Sequence, residues 1–113
     1  MIIAVDFDGT LSNGHYPYIG QPNKPLFDAL IKLKAQGHSI ILWTCREDIQ
    51  LQQAVDWCKE QGLEFDAVNE NVPWIGFYSR KVCADVYIDD LAVSKNNWMM
   101  KLSAVYQDTK LRE

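Results

Sequence analysis

The chain is predicted to be an α/β protein: a three-layer, Rossmann-like parallel sheet with helices on both faces. Three features of the sequence carry this expectation. Short β-branched runs alternate with segments of helical period, the order that gives parallel strands joined by right-handed crossovers. The runs are apolar without alternation, as in strands buried on both faces. The stretches "KAQGHSIILW" (residues 34–43) and "KEQGLEFDAV" (residues 59–68) each read helix, glycine, strand, so one αβ step is built twice.

The elements follow in order. "IIAV" (Ile2–Val5) is the first strand. Residues 11–24, rich in Gly, Pro, Asn and Tyr, form a loop or short flap. A helix starts near Pro25, a residue suited to the first turn, with Leu26, Leu30 and Leu33 and then Phe27 and Ile31 at helical spacing. Gly37 stops it, and Ser39–Trp43 is the second strand. The next helix carries Leu51, Ala54, Val55 and Cys58 on one face and ends at Gly62. Glu64–Val68 reads as a short third strand, "NENVPWIGFYSR" as an irregular segment, and Asp85–Ile88 as the fourth strand. Trp98, Leu102, Val105 and Tyr106 mark one face of a terminal helix, with a polar, fraying tail at 107–113. No linker interrupts the pattern, so residues 1–113 are expected to form one domain.

Composition narrows the function classes. The chain of 113 residues is 48% hydrophobic and 23% charged, which argues for a packed core and against disorder. A formal net charge of -4 provides no basic footprint for nucleic acid or an anionic membrane. The three cysteines, Cys45, Cys58 and Cys83, form no C-x-x-C pair and suit a reducing, cytoplasmic compartment. Cys45 follows a strand end, but no histidine arrangement matches it as a nucleophile. "MIIAV" lacks the basic start of a leader peptide, and no apolar run nears the ~20 residues of a membrane span, so a soluble intracellular protein is expected.

Chemistry gathers at the strand ends, where open α/β sheets place their sites. Asp6-Phe7-Asp8-Gly9-Thr10 follows the first strand, Thr44, Cys45 and Arg46 the second, Asn69 the third, and Asp89-Asp90 the fourth, while Lys81 lies in the loop approaching the fourth. Four carboxylates in one pocket repel one another and lose solvation, which calls for a cation. Hard oxygen donors select Mg²⁺, which keeps waters and takes only a couple of protein carboxylates. Gly9 lets the backbone turn so that amides could face an anion.

"DFDGTL" resembles the first motif, D-x-D-G-T, of the phosphatase branch of the haloacid dehalogenase superfamily. "IILWT" is similar to the second motif, ending in Thr44; Lys81 matches the third-motif lysine; "VYIDD" resembles the fourth. The four motifs run in order from Asp6 to Asp90. The resemblance implies a phosphatase working through a phosphoaspartate. Asp6 would be the nucleophile, and Asp8 would protonate the departing oxygen and later deprotonate water. Mg²⁺ would be held by Asp6, the Asp8 backbone carbonyl and Asp89, with Asp90 bound directly or through water. Thr44 would donate to the phosphoryl group, and Lys81 would neutralise charge on it and on Asp6. Gaps of these lengths leave no room for a cap, so the chain resembles an uncapped member.

Other readings stay open beside this one. Asp6 and Asp8 suit loop capping, Thr44 a strand end, and Asp90 a cap. Lys81 is also an ordinary surface charge, with Arg80 beside it able to exchange roles. Arg46 could reach a substrate phosphate or pair with Glu47 or Asp48 in solvent. His15 could touch substrate from the flap or sit on the surface. An open site is covered by a neighbouring subunit of a homo-oligomer, accepts a bulky substrate, or has low selectivity. "HYPYIG" and "VPWIGFY" could form a subunit interface, stack on a base or sugar, or pack internally. The first expectation is hydrolysis of a small phosphomonoester, a sugar phosphate or nucleotide. A phosphorylated nucleic-acid end, disfavoured by the acidic charge, and a non-catalytic metal-stabilised interaction module are the alternatives.

Overall fold

The computed structural model describes residues 1–92, 94–97, 99–100, 102–104 and 107. Along the chain they form β1 (Ile2–Val5), α1 (Lys24–Ala35), β2 (Ser39–Leu42), α2 (Asp48–Glu60), β3 (Ala67–Val68), a 3₁₀ turn (Pro73–Ile75) and β4 (Val86–Ile88). All strands are parallel, in the spatial order β3-β2-β1-β4. The helix signals act as expected: Pro25 lies in the first turn of α1, and Gly37 and Gly62 leave both helices at φ of 95°, a conformation open to glycine. Met99, Met100, Leu102–Ala104 and Gln107 are helical. Trp98, Val105 and Tyr106 of the expected terminal face, and residues 108–113 of the expected tail, lie outside the described residues.

Both edge strands are shorter than the apolar runs predict, and an aspartate explains each. The Ile40 N–H donates to the Asp66 carboxylate at 2.8 Å, and the Asp66 N–H donates back to the Ile40 carbonyl at 2.8 Å. At the opposite edge, Ile2 N–H donates to Asp85 Oδ2 at 2.7 Å, and Asp85 N–H donates to the Ile2 carbonyl at 2.7 Å. Each side chain therefore satisfies an amide near the start of a central strand, just before pairing with the edge strand begins. A charge-assisted bond of this kind is worth roughly 1–3 kcal/mol. Asp66→Ala is expected to lower stability by about 1–2 kcal/mol, read as a lower urea midpoint at unchanged slope. An unchanged midpoint would show the clamp to be dispensable.

The register separates two cores. Ile3 and Val5 pair with Ile40 and Leu42 and pack with Phe27 and Leu30 of α1 and Ala54 and Cys58 of α2. Ala4, Ile41 and Ala67 face the other way, against Val72 and Val82. Among the described residues, α1 and α2 thus share one face. Strand order supplies the reason. The steps from β1 to β2 and from β2 to β3 run in one direction, so right-handed crossovers place α1 and α2 on the same side. The return from β3 to β4 runs in the opposite direction, and residues 70–85 cover the second face with a single 3₁₀ turn. Asn71 holds that segment: its side-chain amide donates to the carbonyls of Ser79 and Lys81, and its oxygen accepts from the Cys83 amide. The reversal leaves a crevice between the carboxyl ends of β1 and β4, the topological switch point of the sheet. No helix among the described residues is long and apolar enough to cross a membrane.

Candidate active site

The crevice is filled from β1. Phe7 is fully buried and meets Trp57 edge-on at 5.6 Å. Trp57 in turn packs on Phe27 at 5.6 Å. With Phe7 drawn into the core, Asp6 and Asp8 both line the cleft. Asp6 N–H donates to the Ile88 carbonyl at 2.9 Å, which ties Asp6 to β4. Thr10 Oγ1 donates to Asp6 Oδ2 at 3.1 Å. Asp6, Asp89 and Asp90 each present a carboxylate oxygen within 4.8 Å of the others. Asp8 is absent from this triad.

Burial is the main cause that pushes the Asp6 carboxyl up to about 6, with the charges of Asp89 and Asp90 adding to it and hydrogen bonds from Phe7 N–H and Thr10 opposing it. Loss of solvation and the nearby acids both disfavour the charged form, and the two hydrogen bonds only partly offset them. Gly9 makes the approach of Asp90 feasible. It sits at φ 79°, and a Cβ there would lie 2.3 Å from Asp90 Oδ2. Its amide is not turned to an anion, as the sequence suggests, because it donates to the Ser12 carbonyl at 2.9 Å. The Thr10 amide is likewise engaged, by the Phe7 carbonyl at 3.1 Å. Gly9→Ala is expected to strain the turn by about 1–2 kcal/mol and to displace the Asp90 carboxylate. Calorimetric Mg²⁺ titration should show affinity weakened by about tenfold or more; unchanged affinity would remove Asp90 from the cation site.

Arg46 departs from both of its sequence readings. It is neither a free substrate ligand nor paired with Glu47 or Asp48 in solvent, but only 1% exposed. Its Nε donates to Asp8 Oδ2 at 2.9 Å and its Nη2 to Asp8 Oδ1 at 2.7 Å. Nη2 also donates to the Tyr18 carbonyl at 3.2 Å, and Nη1 to those of Pro17 and Gln50 at 3.4 Å. A guanidinium has five N–H donors, and all five have acceptors within the chain, so none is left for a phosphate. Spacing could not reveal this, since the partner carboxylate lies 38 positions away.

Thr44 stands where expected, beside the cleft. Its hydroxyl oxygen accepts from Arg46 N–H at 3.2 Å, which leaves the hydroxyl proton free to donate. Its own amide donates to Asn69 Oδ1 at 2.8 Å. Asn69, at φ 54° after β3, is a positioning residue whose role the sequence left unassigned; its place at a strand end was the available signal. Asp89 Oδ1 accepts from the Leu91 amide at 3.1 Å, so Asp89 rather than Asp90 makes the cap of the following turn. Lys81 is not among the residues lining the cleft. It is exposed, and the contacts it makes are through its backbone carbonyl, which accepts from Asn71 Nδ2 and Cys83 Sγ. Asn71 sets the course of the loop that carries this exposed lysine. The cleft is open, with a volume of about 760 Å³, and His15, Tyr16 and Cys45 are on its wall.

Among solved structures, a conserved protein from Bacteroides thetaiotaomicron is 40% identical to the chain, with a TM-score of 0.74, over 100% of this chain and 92% of that one. The chain belongs to the family of that conserved protein. No protein-family model and no curated protein matches it.

Proposed function

We propose that this chain is a Mg²⁺-dependent phosphatase of the haloacid dehalogenase type, hydrolysing a small phosphomonoester such as a sugar phosphate or a nucleotide. The observation that carries the reading is the meeting of Asp6 with Asp89 and Asp90, from adjacent parallel strands, in an open cleft at the switch point. The donor set fits the metal: three hard carboxylate oxygens, with Asp6 already pushed up by burial and, secondarily, by its acidic neighbours, and room for Asp90 secured by a glycine. Asp6, Asp89 and Asp90 would hold the ion, with the Asp8 backbone carbonyl as the further ligand the motif implies. When bound, Mg²⁺ supplies the positive charge that lets an anionic nucleophile and an anionic substrate come together.

The side chains then divide the work. Thr10 fixes one oxygen of Asp6, and the other attacks phosphorus while the bond to the leaving oxygen breaks. Asp8 is the acid–base residue the motif implies; both its oxygens accept from Arg46, so it delivers a proton to that oxygen, and later takes one from the water that cleaves the phosphoaspartate, only as that pair opens. Thr44 donates its free hydroxyl proton to the phosphoryl group. The wide cleft accommodates a nucleotide or sugar without a cap.

The test is phosphate release from a panel of phosphomonoesters with Mg²⁺, with the metal chelated in a parallel series. Turnover that requires Mg²⁺ and disappears in Asp6→Asn supports the reading. A panel without a single Mg²⁺-dependent substrate counts against it.

A further inference from the structure

We infer that a second recess, formed by the chain between β3 and β4 beside the cleft, is the site for the planar base of a nucleoside monophosphate; the inference rests on the phosphatase reading and names its substrate class. The recess opens at the carboxyl end of β3, has a volume of about 480 Å³ and is walled by residues 69–73 and 75–80. Small-molecule sites commonly have volumes of ~300–1,000 Å³. It adjoins the cleft through one contact. Thr44, on the cleft wall, donates its amide to Oδ1 of Asn69, on the recess wall, at 2.8 Å. A phosphoryl group that receives the Thr44 hydroxyl proton therefore has the recess as its neighbour, one hydrogen bond further along the strand ends.

The frame of the recess is fixed by the fold. Its floor is apolar: Val72 is buried in the second core, and Ile75 packs against the same cluster. Asn71 ties the loop together through the carbonyls of Ser79 and Lys81 and the amide of Cys83. On this frame stand two aromatic side chains that the fold does not use. Phe77 is 62% and Tyr78 87% exposed, and neither ring pairs with another among the described residues. Polar groups complete the wall: the Asn69 side-chain nitrogen, the Glu70 carboxylate and the Arg80 guanidinium, none of which bonds to another described residue.

That combination selects a base over a sugar. The two rings offer faces on which a flat heterocycle stacks, and the floor asks for no hydrogen bonds. A base carries its donors and acceptors on its edge, where Asn69 and Arg80 can donate and Glu70 can accept. A sugar has hydroxyls all around its ring, and several would lose water against Val72, Ile75 and Phe77 without gaining a partner. The net charge of -4 favours a single nucleotide over a nucleic-acid strand, whose binding draws on a row of cations.

The test compares kcat/KM for the 5′-monophosphates of adenosine, guanosine, cytidine and uridine with kcat/KM for ribose 5-phosphate, all with Mg²⁺. The scissile ester is alike in each and the base is the difference. At least one nucleotide should exceed ribose 5-phosphate by about tenfold or more, the scale of one stacked base. Phe77→Ala and Tyr78→Ala should each cut that ratio, and together bring it close to one; rings that merely held the loop would lower both substrates alike. Both rings are exposed, so these variants should melt with the parent. Calorimetric titration of the same nucleotides into Asp6→Asn, where turnover does not interfere, is the second readout: removing both rings should weaken binding by about tenfold or more. A ratio near one in a protein that hydrolyses ribose 5-phosphate overturns the base site and leaves the phosphatase reading intact. Ring-dependent nucleotide binding in a parent inactive on every ester keeps the base site and overturns the phosphatase reading. Neither binding nor turnover overturns both. A 5′-phosphorylated oligonucleotide turned over faster than every mononucleotide would overturn the assignment to a single nucleotide.

Discussion

On the proposed phosphatase reading, Asp6→Asn should abolish phosphate release while making the metal-free fold more stable at neutral pH. The two effects share one cause. Thr10 holds one oxygen of Asp6, the proposed reading has the other attack phosphorus, and an amide has no comparable nucleophilicity, so turnover should fall by at least about 10³-fold. The same group is a burden to the empty fold. Its carboxyl is pushed up to about 6 from an ordinary 3.8. Below pH 4 both folded and unfolded chains hold the proton and the burden is nil. Between pH 4 and 6 the unfolded chain gives it up first, so stability falls as pH rises, and above 6 the loss is constant. For a half-buried group screened by solvent the loss is on the order of 1–2 kcal/mol. Thermal melts in chelator should show Asp6→Asn overtaking the parent between pH 4 and 6 and holding its lead to pH 8. Millimolar Mg²⁺ should raise the melting temperature of the parent and leave that of Asp6→Asn where it was. A parent indifferent to Mg²⁺, or less stable at pH 4 than at pH 7 through this group, contradicts the electrostatic picture of the cleft.

Phe7→Ala should be the most destabilising single truncation near the site, at about 3–5 kcal/mol. Phe7 is fully buried, and it holds together an aromatic contact with Trp57 and a face against the Arg46 guanidinium. Small domains have about 5–15 kcal/mol in total, so the variant should melt on the order of 10–20 °C lower. It should also weaken Mg²⁺ binding at temperatures where it remains folded, because the inward pull on Phe7 is what presents Asp6 and Asp8 to the cleft. A loss under about 1 kcal/mol would mean that the neighbours collapse into the space, and that the acids are placed by the strand bonds of β1 alone. Circular-dichroism melts combined with calorimetric titration separate the two cases.

Much of this was legible in residue order. The run Ile2–Val5 coincides with β1, since a doubly buried strand admits few polar residues and announces itself locally. Pro25, Gly37 and Gly62 mark helix limits because their own backbones restrict or free φ. The gathering of Asp6 with Asp89 was readable too, because parallel strands put all their carboxyl ends on one side. Three matters were not. Asp66 and Asp85 look like ordinary turn residues until the neighbouring strand offers each an amide. Lys81 matched a motif by order along the chain, but the hydrogen bonds of Asn71 decide the path of its loop.

The placing of Arg46 is the sharpest case. Its neighbours in sequence are Glu47 and Asp48, yet its partner is Asp8, and its remaining bonds go to backbone carbonyls. Strand, helix and turn identity come from the residue and its close neighbours, so they can be read along the chain. Which acid a buried guanidinium satisfies depends on what surrounds it once water is excluded, and that comes into being when β1, β2 and the flap are brought together.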